Sequence, residues 1–228
     1  MKYEIKGDNL PVVICRLQDQ ESVITETGAM SWRTENIAMD TKAGSIGSVF
    51  SRLLSSESMF QNRYTSRGEG EIAFASRFPG SILPVEITPE HPVMVQKGGF
   101  LVSTEGVALS VYLQKKLGVG FFGGEGFIMQ KLSGSGTCFV EIDGSAIEYV
   151  LAPGERKVVN TGHLAMMDGS CQIDIEAVKG MKNIFLGGYG VFNTIITGPG
   201  RIILQSMPIR NTAMMLYSFM PQATSSSS

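Results

Sequence analysis

The residues of this chain that could do chemistry are few: two histidines, three cysteines and one glycine-rich string. The string Gly118-Val119-Gly120-Phe121-Phe122-Gly123 has the G-x-G-x-x-G spacing with which a dinucleotide-binding turn brings its backbone against a pyrophosphate at a helix N-terminus. That chemistry needs a helix after the glycines. The chain continues instead with Phe127-Ile128-Met129-Gln130-Lys131-Leu132, a strand-like run, so no nucleotide site is expected. His91 lies in TPEHPV beside two prolines, which suits a connecting loop, and His163 lies in TGHL. A metal centre on a β-fold would take a cluster of histidines with a glutamate, which two separated histidines do not supply. A serine or cysteine nucleophile would need one of these histidines or a lysine as its base, and nothing near Cys15, Cys138 or Cys171 points to one. No cofactor and no metal are expected, and the chain reads as non-enzymatic.

Charge narrows the partners. The 228 residues carry a formal net charge of −2, so there is no global basic field for nucleic acid or anionic lipid. The one repeated basic pair, Arg63 and Lys131, is broken in a third copy by Ile195, which is weak support for phosphate contacts. Carboxylates such as Glu69 and Glu71, and the basic pairs Lys115-Lys116 and Arg156-Lys157, read as solvated turn and strand-end charge. Three scattered cysteines without a C-x-x-C pair suggest buried thiols in a reducing compartment. No apolar run approaches the roughly 18 residues of a spanning helix, and the N-terminus is not of signal-peptide type. A cytoplasmic location is expected.

The elements that would have to position these side chains repeat along the chain. Gly28, Gly99 and Gly162 recur at intervals of 71 and 63 residues, and the pairs Gly68/Gly70, Gly134/Gly136 and Gly198/Gly200 at 66 and 64. Between them, LLSSESMF (53–60), FFGGEGFI (121–128) and FLGGYGVF (185–192) align without a gap. The glycine-rich string is thus one copy of a corner: Gly123, Gly124, Gly187 and Gly188 read as tight-turn positions, and Leu53, Leu54, Phe121, Phe122, Phe185 and Leu186 as apolar plugs or an interface. Each G-x-G precedes a short apolar strand, EIAFAS, TCFVEI or RIILQS, in which Ile72/Phe74, Cys138/Val140 and Ile202/Leu204 share a face by period 2.

The expected architecture is all-β, with three compact modules at about 1–87, 88–151 and 152–210 around a pseudo-threefold axis. Helix is expected in two places only. A short insertion near 46–58 carries Val49, Phe50, Leu53 and Leu54 at helical spacing, and 211–220 begins with Asn211 as a candidate N-cap before a tail at 221–228. Met214, Met215, Leu216 and Tyr217 are apolar on most sides of that closing helix, so it is expected to be buried against the body or another subunit.

The ordered strings TGAMSW, LLSSESMF, EGEIAFA and FPGSILPVEI, then GGFLVS, FFGGEGF and LSGSGTCFVEIDG, then TGHLA, FLGGYG and TGPGRIILQS, resemble the widespread uncharacterised proteins called TRAP-like. Eukaryotic relatives of that family are named for altered inheritance of mitochondria. The likeness runs from residue 1 to about 221. It implies a triplicated β-sandwich of double-stranded-helix type, similar to the subunit of the tryptophan-sensing RNA-binding attenuation protein. It implies no established enzymatic activity and brings no catalytic residues.

Two function classes remain. The first is a scaffold or interaction protein, self-assembling or binding a protein partner and linked by the resemblance to membrane-associated organisation, with peripheral membrane contact through apolar corners. The second is a binding module for RNA or a small ligand, resting on fold analogy alone.

Overall fold

The computed structural model describes residues 1–42, 61–115, 126–177 and 192–220. The insertion near 46–58, the plugs Leu53, Leu54, Phe121, Phe122, Phe185 and Leu186, the corner glycines 123, 124, 187 and 188, and the tail at 221–228 lie outside these residues. Within them the chain is nearly all strand, as the periodicity predicts.

An N-terminal strand β1 (Lys2–Lys6) is followed by β2 (Val12–Leu17), β3 (Ser22–Glu26), β4 (Trp32–Arg33), β5 (Ile37–Lys42), β6 (Gln61–Ser66) and β7 (Gly70–Ala75). Next come β8 (Gly80–Ile87), β9 (Val93–Gln96), β10 (Phe100–Thr104), β11 (Val107–Lys115), β12 (Phe127–Gly134) and β13 (Gly136–Asp143). The last strands are β14 (Ala146–Leu151), β15 (Arg156–Asn160), β16 (Leu164–Asp168), β17 (Gln172–Ala177), β18 (Phe192–Thr197) and β19 (Gly200–Gln205), and the helix α1 (Ile209–Phe219) closes the described chain.

All pairings are antiparallel and share one scheme. In β2–β7, the first and third strands pair with the sixth, and the second and fourth with the fifth. The same holds in β8–β13 and in β14–β19. The scheme groups Gly80–Ile87 with the strands that come after it. Two seams join the sets into larger sheets, β3 against β10 and β9 against β16. The corresponding third pair, β15 against β4, is not hydrogen-bonded.

The turn into the last strand of each set is tight. The strand starts at the second glycine of each G-x-G, and a Cβ there would lie 2.7 Å from Ser66 Oγ at Gly70, 2.1 Å from Thr104 Oγ1 at Gly136 and 2.7 Å from Cys171 Sγ at Gly200. The glycine is a packing requirement there, because a neighbouring segment lies against the backbone. The next amide is caught by a side chain from the set's third strand or its flank. Glu71 N donates to Thr34 Oγ1 at 3.1 Å, Thr137 N to Thr104 Oγ1 at 3.2 Å and Arg201 N to Asp168 Oδ2 at 2.8 Å.

Three clusters of buried apolar residues form the core, and none belongs to one set alone. Val13, Leu17, Ile37 and Phe74 pack with Leu101 and Phe139. Val85, Phe100, Leu132 and Val140 pack with Met166 and Ile203. Leu151, Leu164, Ile175 and Ile196 pack with Phe127 and Met129. Strand β13 therefore buries both faces, Cys138, Val140 and Ile142 into one cluster and Phe139 into another.

Helix α1 starts two residues before Asn211. Its N-cap is Pro208, which makes no side-chain cap. The first helical amide, of Ile209, is met by a carboxylate from elsewhere in the chain, Asp143 Oδ2 at 2.8 Å. An acidic group at that end also suits the helix dipole. Asn211 is thereby relieved of capping. The helix ends at Phe219 and Met220 turns extended ahead of Pro221, a residue before proline being forced out of the helical region. No residue of α1 is buried, which corrects the expectation that it packs into the body. Its first turn is held to the sheet end by Asp143 at the Ile209 amide and by Asn211 beside His163.

Candidate functional site

Glu141 is the least expected residue in the core: a carboxylate on an apolar strand, its side chain only 4% exposed. It stands five residues after Gly136, where Ala75 and Gln205 stand after Gly70 and Gly200. Its Oε1 accepts from Ser76 Oγ at 2.8 Å and from the backbone amides of Arg77 and Phe78 at 2.5 and 3.3 Å, and its Oε2 from Arg77 Nε at 3.2 Å. Buried charge is tolerable when donors converge on it in this way. The Arg77 guanidinium continues to Gly98 O at 2.5 Å, and Glu141 N donates to Gly99 O at 2.7 Å. The carboxylate thus clamps the β7–β8 connection and the β9–β10 turn together.

Gln205 does the same work one seam on. Its Oε1 accepts from Asp143 N at 3.2 Å, while its Nε2 donates to Gly162 O at 2.8 Å and Gln96 Oε1 at 2.9 Å. Between the two clamps lies a cavity of about 240 Å³, lined among others by Arg77, Gln96, Glu141, Asp143, Gln205 and Arg210. Asp143 lines it and caps α1. Burial raises its carboxyl above the usual range, opposed by the Ile209 amide; the Glu141 charge adds to the rise and Arg77 counters it. The cavity can hold a small polar molecule by hydrogen bonds of both senses. No thiol is among its lining residues, and of its two carboxylates Glu141 accepts from four donors and Asp143 from the Ile209 amide.

The other chemistry-bearing residues are occupied by structure. His163 places Nδ1 2.8 Å from Gln205 O and Nε2 3.4 Å from Asn211 Nδ2, so both ring nitrogens are engaged at the base of α1. His91 is exposed, its amide bonded to Thr88. The three thiols are buried. Burial pushes Cys15 up to about 12 against the pull of the N-terminal ammonium, and it raises Cys138 and Cys171 as well, Cys171 with help from Asp168. A thiol held protonated is a poor nucleophile. Arg63 is bound to Glu105 at 2.7 Å, Lys131 is half-buried, and Ile195 is buried.

The turn glycines fall at the strand ends. Gly28, Gly68, Gly134, Gly136 and Gly200 have positive φ, while Gly70, Gly99, Gly162 and Gly198 do not, and the left-handed residue of the β9–β10 turn is Gly98. Gly162 sits in a single 3-10 turn over Thr161–His163. Of the interface candidates, Met214 is half-buried and Met215 is 44% exposed on α1. Glu141 and Gln205 lie inside the recurring strings TCFVEI and RIILQS, which mark strands and not a site; their one signal is a polar residue at the fifth position of an otherwise apolar strand in two of the three strings. Among the described residues no helix is long and apolar enough to cross a membrane.

Comparison with known proteins agrees with this description. An uncharacterised protein of Streptococcus pyogenes serotype M6 is 29% identical over 235 residues, spanning 98% of this chain and 93% of that protein. A crystal structure of a Streptococcus pyogenes protein from a structural genomics programme superposes with a TM-score of 0.77 at 26% identity, covering 96% of this chain and 99% of that one. The profile described as Mitochondrial biogenesis AIM24 matches residues 3–207, so the chain belongs to the AIM24 family.

Proposed function

We propose that the chain is a non-enzymatic interaction protein, a scaffold in which a triplicated β-fold turned about a pseudo-threefold axis presents apolar elements to a partner. The recurring strand scheme, the recurring side-chain catch after each G-x-G and the two equivalent clamps support the triplication. The observation that carries the interaction reading is α1. Leu216 is 57% and Phe219 82% exposed, with Met215 and Tyr217 beside them. A helix with large apolar groups facing water is poorly stable alone and gains by docking on a protein or lipid surface. The test compares the full chain with L216S/F219S by light scattering and by co-sedimentation with phosphatidylcholine vesicles. The wild type is expected to bind vesicles or to assemble beyond a dimer, and the variant to do neither at an unchanged melting temperature; identical behaviour of the two proteins would sink the reading.

A second reading, a small-ligand module, draws on the 240 Å³ cavity between the clamps. A polar ligand seated there would raise the melting temperature of the wild type and not of an Arg77→Ala variant. RNA binding draws no support from Arg63, whose charge is already paired with Glu105.

A further inference from the structure

The three equivalent first strands of the sets meet solvent differently. The outer edge of β2 is covered by β1, whose own sequence Lys2-Tyr3-Glu4-Ile5-Lys6 alternates charge. The edge strand β8 carries Pro84, which lacks an amide donor, and Glu86. Both are recognised ways of blocking unwanted strand addition. Among the described residues the edge strand β14, Ala146-Ile147-Glu148-Tyr149-Val150-Leu151, has no cover and no proline or lysine, and its one charge, Glu148, is already matched by Arg201 of the neighbouring strand. Other sheet edges are blunted too: β5 by Asp40, β17 by Asp174 and Glu176, β15 by Arg156 and Lys157, and β11 by a register shift between Val111 and Leu113. On β14, Ile147 is 44%, Tyr149 41% and Val150 73% exposed.

We propose that β14 is a homodimer edge, pairing antiparallel with β14 of a second copy so that two six-stranded sheets run on as one. The charge pattern favours a second copy. A two-fold axis perpendicular to a sheet keeps each residue on its own face, so directly opposed residues must differ by an even number of positions. Centring the pair on Glu148 would set two carboxylates against each other, which is unfavourable. Centring it on Tyr149 sets the two tyrosines together, Ile147 against Leu151 and Glu148 against Val150. Val150 is itself paired with Arg201 on β19, so each copy's Glu148 joins the cross-strand row that contains the other's Arg201. Within one copy that arginine already reaches Glu148 at 3.7 Å, and Lys157 lies 4.0 Å over the Tyr149 ring. One six-residue strand buries well under the roughly 1,600 Å² of a standard interface, so a micromolar, concentration-dependent dimer is expected.

This inference does not rest on α1, and it is tested in the L216S/F219S background as well as in the wild type. Sedimentation velocity of the intact chain from about 1 µM to about 1 mM should show a monomer–dimer equilibrium in both. Val150→Glu, which sets a second carboxylate against the partner's Glu148 while facing Arg201 within its own copy, should weaken it at least about tenfold with an unchanged melting temperature. Tyr149→Cys should form an intermolecular disulfide under mild oxidation, because residues opposed across an antiparallel pair stand about 4.5–5.5 Å apart. The proposal is overturned if the chain stays monomeric throughout, if V150E dimerises as well as the wild type, or if Y149C does not cross-link while dimer is present.

Discussion

The two seams of this fold are held at equivalent places by different chemistry. At the first, Glu141 receives donors only: a hydroxyl, two amides and a guanidinium. At the second, Gln205 receives one amide and gives both amide protons to oxygens, Gly162 O and Gln96 Oε1. The surroundings select the residue: a site of converging N–H groups wants an anion, and a site with a donor on one side and acceptors on the other wants a carboxamide. At the third place Ala75 has no polar side chain, and there β4 and β15 do not pair. A clamp goes with a seam.

The largest test breaks the charged clamp. Glu141→Ala should leave buried donors and Arg77 without their acceptor, costing about 4 kcal/mol and lowering the melting temperature by about 10 °C. Glu141→Gln should cost about half of that, because one oxygen is replaced by a donor facing donors. Circular dichroism melts of both variants measure this, and a loss for E141A no greater than about 1 kcal/mol would make the clamp unimportant.

The converse exchange should hurt less. Gln205→Glu turns two donated bonds into contacts between a carboxylate and two oxygen acceptors, beside Asp143. A loss of about 3 kcal/mol is expected at pH 7. It should shrink towards pH 4, where the new carboxyl protonates and can donate again. If the loss is the same at both pH values, charge is not its cause.

The smallest effect belongs to Asp143, which sits between the clamps. Its folded carboxyl is raised, so the folded state holds the proton more tightly than the unfolded chain. That contribution to stability is present below the unfolded pKa and is lost as pH rises through the folded one. The ionised group is therefore a cost at neutral pH, lessened by its partial exposure to solvent. Asp143→Asn keeps an acceptor for Ile209 N and should raise the melting temperature by about 2 °C at pH 7. The gain should vanish below about pH 4. A variant destabilised at pH 7 would show that the capping charge outweighs the burial.

The all-β class and the family were legible because they rest on local signals. Gly68/Gly70, Gly134/Gly136 and Gly198/Gly200 stand directly before strands whose Val, Ile and Phe content suits a pleated surface. The candidate site was not legible. Glu141 finds Arg77 N 64 residues away, and Gln205 finds Asp143 N 62 residues away. No local pattern contains both partners, and a lone glutamate in TCFVEI reads as an ordinary strand-end charge. Asn211 illustrates the same gap: it has the right side chain to cap a helix, but Asp143 reaches the first amide from another part of the chain.

The sequence by itself determined where strands begin, that their apolar residues alternate, and that the pattern comes three times. These properties arise from backbone sterics at glycine and from the two-residue period of a strand, which need no distant partner. Only the tertiary structure decided which faces are buried. Phe139 and Ile203, on the far side of their strands from Val140 and Ile202, are as deeply buried as those are, because a neighbouring set packs over that side. It likewise left α1 and the β14 edge in water. Their residues are as apolar as many in the core, but apolar content alone brings no covering element, and among the described residues Tyr149 meets only the Lys157 ammonium over its ring while Leu216 and Phe219 stay exposed.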